Sequence, residues 1–113
     1  MEPTALMLRV CELLDDGDWH DLEHVYREAG KTIPPGRAIR SAEYNRAKVR
    51  NAPAHRVKTR SNDQLITYGR RRIIYELLRH ASFETRQGPD GGRVVRMIQP
   101  PGQVQRYRQE THG

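Results

Sequence analysis

Apolar residues in this 113-residue chain fall in short, separated groups, and that spacing limits the chain to one small core built from short elements. Leu6, Val10, Leu13 and Leu14 repeat at i, i+4, i+7 and i+8. Leu22, Val25, Tyr26 and Ala29 repeat at i, i+3, i+4 and i+7. Ile73, Ile74, Leu77 and Leu78 make a third stripe that Ala81 extends. Each is the one-sided pattern of an amphipathic helix. No apolar run approaches the roughly 18 residues of a membrane helix. The length fits one domain and excludes a catalytic barrel of about 250 residues.

Breakers and caps divide the chain further. The first stripe predicts a helix over 4–14, with Thr4 as N-cap and Asp15-Asp16-Gly17 as its end. Cys11 lies inside it as a small core filler; as the only cysteine it excludes an intrachain disulfide. Asp18-Trp19-His20 reads as a very short strand, with Trp19 as a core anchor. Asp21 then caps a helix over 22–29 that Gly30 ends. Ile33-Pro34-Pro35-Gly36 precedes a helix over 36–48, with Pro35 suited to the first helical position. Arg37, Arg40, Tyr44 and Lys48 form its basic side. Residues 49–66 show no clean period and read as a long basic loop, with Asp63 as the earliest start of the helix that follows.

The third stripe predicts a helix over 67–80, capped by Thr67 and carrying Arg70-Arg71-Arg72 in its first turns. Cations there oppose the helix dipole by roughly 0.3–1 kcal/mol each at exposed sites, which suggests compensation by phosphates. Two β-prone runs around Gln87-Gly88-Pro89-Asp90-Gly91-Gly92 predict a hairpin over 83–98. Residues 99–113, with almost no aliphatic side chains, read as a flexible tail. The domain is therefore expected at 1–98, and the fold class is α+β.

Charge is segregated along this order. Residues 1–30 hold eight acids and two bases, residues 31–80 thirteen bases and three acids, and residues 81–113 five bases and three acids. The net charges are −6, +10 and +2, giving +6 in all. A segregated basic segment is the footprint of a polyanion partner. Seventeen of the twenty basic residues are arginine, the better residue for bidentate phosphate contacts.

The run Leu13-Leu14-Asp15-Asp16-Gly17-Asp18-Trp19-His20-Asp21-Leu22, the helix Arg70–His80 and the hairpin Phe83–Ile98 together resemble a winged helix-turn-helix domain. The likeness is to the small winged-helix proteins of GC-rich bacteria and their phages. It implies three to four helices, a C-terminal hairpin as the wing, and a recognition helix just before that hairpin. Residues 31–66 depart from the pattern: 36 residues stand where a turn of about 3–4 is usual. The recognition element is therefore 67–80 or 36–48, and adjacency to the wing favours 67–80.

The partner this implies is double-stranded DNA. Arginines and lysines would neutralise phosphates, and one of Arg70 or Arg71 would approach base edges. The expected contact set is Arg37, Arg40, Lys48, Thr67, Tyr68, Arg70, Arg71, Arg72, Arg86, Arg93 and Arg96, with the acidic head facing away. The role would be that of a cytoplasmic transcription regulator or phage accessory protein. The alternative is a winged helix that docks a protein, such as a host protein, and homodimerisation is compatible with either.

No cofactor, metal or catalytic site is expected. His20-Asp21-Leu22-Glu23-His24 matches the H-x-x-E-H pattern of inverted zinc peptidases. It coincides with a helix start, where His20 falls before the cap, and we read it as that. No phosphate loop, G-x-S-x-G motif or CxxC pair occurs.

Overall fold

The caps set the frame. In this computed structural model, which describes residues 2–48 and 61–112, the Thr4 hydroxyl accepts a hydrogen bond from Met7 N and α1 spans Ala5–Leu13. The chain leaves α1 through Gly17, whose φ of +74° favours a residue without a Cβ. Asp21 accepts from Glu23 N and opens α2, Leu22–Gly30. Just before it, His20–Asp21 form β1. Four residues separate the end of α2 from α3, which begins at Pro35 and runs to Lys48.

The next helix, α4, spans Asn62–Leu78 and starts five residues before the expected cap Thr67 and one before the earliest expected start, Asp63. Ser61 is the reason. Its hydroxyl accepts from Gln64 N while Gln64 Oε1 accepts from Ser61 N, a reciprocal capping box. Ser61 and Asn62, which the sequence reading takes as loop residues, thus begin a helix. Thr67 lies inside it and caps nothing.

A hairpin follows, with β2 at Phe83–Gln87 and β3 at Arg93–Met97. β3 is the centre of a three-stranded antiparallel sheet in the order β1-β3-β2. His20 pairs with Val95 on one side and Phe83 pairs with Met97 on the other. Alternation then sorts the side chains. Phe83, Val95 and Met97 turn inward and are buried, whereas Glu84, Arg86 and Arg96 share the outer face.

The inward face meets Leu6, Val10, Leu14, Leu22, Val25, Ile74 and Leu78 in one core. Cys11 is fully buried among them, and burial pushes its thiol up from the ordinary range. Trp19 is not part of this core. It is only partly buried and lies on the outer face of the sheet, against the expectation that it anchors the interior.

Residues 99–113 also differ from expectation, for Gly102–His112 form a fifth helix, α5. Two apolar anchors suffice to hold it: Pro101 is buried and Val104 is fully buried. Gln103 Nε2 donates to Met7 Sδ at 3.1 Å, and Arg108 pairs with Asp15 at 3.2 Å. Composition predicts disorder from the scarcity of apolar residues, but one buried valine in the helix and a buried proline just before it are enough once the core offers a surface.

α3 packs on α4 with backbones nearly touching. Ala38 and Ala42 are buried at this contact, and Gly69 faces the Ala38 carbonyl so closely that a Cβ on residue 69 would overlap it. In an open helix, glycine to alanine gains about 1 kcal/mol. Here the overlap with backbone decides the sign. Gly69→Ala should lower stability by about 1–3 kcal/mol, read as a drop in thermal midpoint of several degrees for a domain of this size.

Candidate nucleic-acid interface

Gln64, Thr67, Tyr68, Arg71 and Tyr75 repeat at i, i+3, i+4, i+7 and i+11, so they lie in one stripe along α4. The stripe is solvent-facing; Tyr68 and Tyr75 are 39% and 48% exposed. A shallow groove of about 470 Å³ opens along its first half, lined by Asp63, Gln64, Thr67, Tyr68 and Arg71.

Arg71 is the most organised residue of this face. Its Nη1 and Nη2 donate to Glu23 Oε2 and Oε1 at 2.6 and 2.8 Å, a bidentate pair joining α4 to the first turn of α2. The guanidinium also lies over the Tyr26 ring, 4.7 Å from its centroid. The hydrogen bond from Arg71 holds the Glu23 carboxyl below the usual glutamate range. Burial pushes the Tyr26 hydroxyl up, opposed by the nearby charge of Arg71.

Arg93, on the hairpin, shares the inward strand parity of Val95 and donates to Thr85 Oγ1 at 3.3 Å. Arg72 lies over the Tyr75 ring at 5.7 Å and pairs with Glu76. Arg71 thus joins α4 to α2 on this face.

Other expected contact residues go elsewhere. Arg70 turns inward: its Nε and Nη2 both donate to the Ile33 carbonyl at 3.0 and 2.9 Å, and its stem packs against Gly30. It clamps α4 to the turn between α2 and α3 and is not presented to a base. Nor do Arg70–Arg72 stand at a helix N-terminus. With α4 starting at Asn62 they are its ninth to eleventh residues, so the dipole cost expected for them does not arise.

Arg86 and Arg96 occupy the outer face of the sheet, where the alternation of the strands separates them from Arg93. Their guanidinium carbons lie over Trp19 at 4.0 and 4.7 Å, and Arg96 also reaches both oxygens of Glu84 at 3.1 Å. Arg37 and Arg40 are exposed on α3, on the side away from Ala38 and Ala42. The stripe on α4 stands about 140° around its own helix from Gly69. The exposed residues of α3 and the polar stripe of α4 thus each turn away from the contact between the two helices. The Lys48 side chain and the basic run 49–60 lie outside the described residues.

The H-x-x-E-H run is divided as its position suggests. His20 precedes the Asp21 cap and its Nε2 lies 2.7 Å from Asp16 Oδ1, while His24 Nδ1 contacts Arg27. Among the described residues, no group of three or more His, Cys, Asp or Glu is arranged to hold a metal ion. None of their helices is long and apolar enough to cross a membrane. Comparison of the chain with protein-family models, curated proteins and solved structures returns no match.

Two residues of the α4 face, Glu23 and Tyr26, were not singled out by sequence. Glu23 appears there only within the H-x-x-E-H run, and Tyr26 as part of the second apolar stripe. The contact that gives both a second role spans 48 residues.

Two measurements follow from these contacts. Arg70→Ala should cost about 1.5–3 kcal/mol, the worth of a charge-assisted hydrogen bond to a part-buried carbonyl. Arg70→Lys should recover only part of it, because an ammonium cannot offer the two-pronged fork; urea unfolding compares the three chains. The Glu23–Arg71 pair also sets a pH dependence. Its carboxyl is lowered in the folded state, so its stabilisation is fully present above the usual glutamate range and is lost as pH falls through the lowered value. Glu23→Gln should therefore flatten part of the acid limb of a stability-versus-pH curve and leave the alkaline limb unchanged.

Proposed function

We propose that this chain is a double-stranded DNA-binding protein of the winged-helix kind, a transcription regulator or phage accessory protein without catalytic activity. The element order supports the fold reading. α1, β1, α2, α4, β2 and β3 follow the winged-helix sequence of elements, with the hairpin as wing and α3 as an inserted helix packed on α4. The recognition element is then α4, the helix that leads directly into the hairpin.

The observation that carries the functional reading is the continuity of one face. Gln64, Thr67, Tyr68, Arg71 and Tyr75 line α4, Arg71 lies over Tyr26 of α2, and the wing residue Arg93 has the strand parity that faces the helices. A helix of this kind fits the major groove, and a flanking basic hairpin reaches the adjacent backbone or minor groove. Phosphate contacts from arginines would supply most of the salt-sensitive affinity.

A second reading, docking of a protein, is favoured by the outer face of the sheet. There a partly buried tryptophan carries two arginines, and tryptophan and arginine are over-represented where interfaces concentrate their energy.

Fluorescence anisotropy with a labelled duplex separates the two. Binding in the nanomolar-to-micromolar range should weaken linearly on a log–log plot of affinity against salt. Arg93→Ala should weaken binding on all sequences and reduce the salt slope by about one. Arg86→Ala and Arg96→Ala, on the other face, should leave both unchanged. Absence of duplex binding, with capture of one protein that Trp19→Ala abolishes, selects the docking reading.

A further inference from the structure

Arg71 is paired in a way that poorly suits a phosphate anchor. A bidentate contact with Glu23 cancels its charge locally, and the carboxylate itself would be repelled by a DNA backbone. What the pair supplies is orientation. Glu23 fixes the end of the guanidinium through two hydrogen bonds, and the Tyr26 ring fixes its plane from one side. Two of the five guanidinium N–H donors are used, which leaves three, including Nε–H, in a known plane. Both partners remain solvent-accessible, with side chains 45% and 60% exposed, beside the α4 stripe.

Resting on the duplex-binding reading above, we infer that Arg71 reads the major-groove edge of a guanine and that Glu23 and Tyr26 are its positioning residues. The chemistry of the edge matches. Guanine presents two acceptors there, N7 and O6, and a planar guanidinium presents parallel N–H donors at the same spacing. No other base offers two adjacent acceptors in that groove. An arginine already held in plane loses less side-chain entropy on making the contact than a free one. Glu23 adds a second preference: cytosine, the partner of guanine, carries the one major-groove amino donor of that base pair, and a carboxylate accepts from it.

The test is selection from a randomised duplex pool at fixed salt, with the full-length wild-type chain and with Glu23→Gln. Glu23→Gln removes an exposed charge and keeps the side-chain shape, so the fold is retained. The wild-type chain should enrich duplexes with guanine fixed at one position, preferred about tenfold over other bases. Glu23→Gln should hold or slightly raise affinity for the unselected pool, since a repulsive charge is lost. Its preference at that single position should fall about fivefold, with preferences elsewhere kept. A purely structural role for the ion pair would weaken all duplexes alike.

Enrichment without a fixed guanine, or a guanine preference that survives Glu23→Gln unchanged, overturns the inference while leaving duplex binding intact. Failure of the wild-type chain to retain any duplex in a salt-dependent manner overturns the duplex-binding reading, and this inference with it.

Discussion

The close crossing of α3 over α4 is the constraint on which the rest of the arrangement depends. Gly69 has no side chain to spare the Ala38 carbonyl, and one residue further on Arg70 reaches back to the Ile33 carbonyl at the turn that leads into α3. The two contacts act together. The glycine allows the helices to approach, and the arginine fixes where along α4 the approach occurs. Since Ile74 and Leu78 enter the core from the same helix, the crossing also sets the rotation of α4, and with it the direction of its exposed stripe.

Electrostatics in this chain is local. A basic middle of net +10 suggests a broad positive surface, yet the arginines of α4 are largely compensated in place. Arg71 has Glu23, Arg72 and Arg79 share Glu76, and Arg70 is directed at a carbonyl. Exposed pairs of this sort contribute little to stability, typically below about 1 kcal/mol each. Their effect is on geometry: they convert mobile cations into oriented donors. Arg37 and Arg40, which form no ion pair among the described residues, remain ordinary surface charges on α3.

Much of the fold was legible because its signals are local. Thr4, Asp21 and Gly17 act within a few residues of themselves, and the hairpin announces its own turn. The start of α4 was equally local, in Ser61-x-x-Gln64, but its polar letters resemble those of a loop. The roles of the arginines were not legible. Arg70, Arg71 and Arg72 are identical letters in sequence, and only contacts 37 and 48 residues away make one a clamp and another half of a bidentate pair. Likewise Arg86, Arg93 and Arg96 look alike until strand parity sends the first and last to one face and the middle one to the other. α5 was missed because a helix so poor in apolar residues is stable only against a partner surface, which composition does not reveal.

The outer face of the sheet has a practical consequence. Trp19 is the only tryptophan, and it lies beside Arg86 and Arg96 on the face opposite the one that carries Arg93. The chain thereby contains a single tryptophan, which can be excited apart from the five tyrosines and whose surroundings depend on all three strands being in register. Its emission reports the assembly of the sheet, and a ligand seated along α4 would leave that signal undisturbed, so folding and occupancy can be followed separately in one sample.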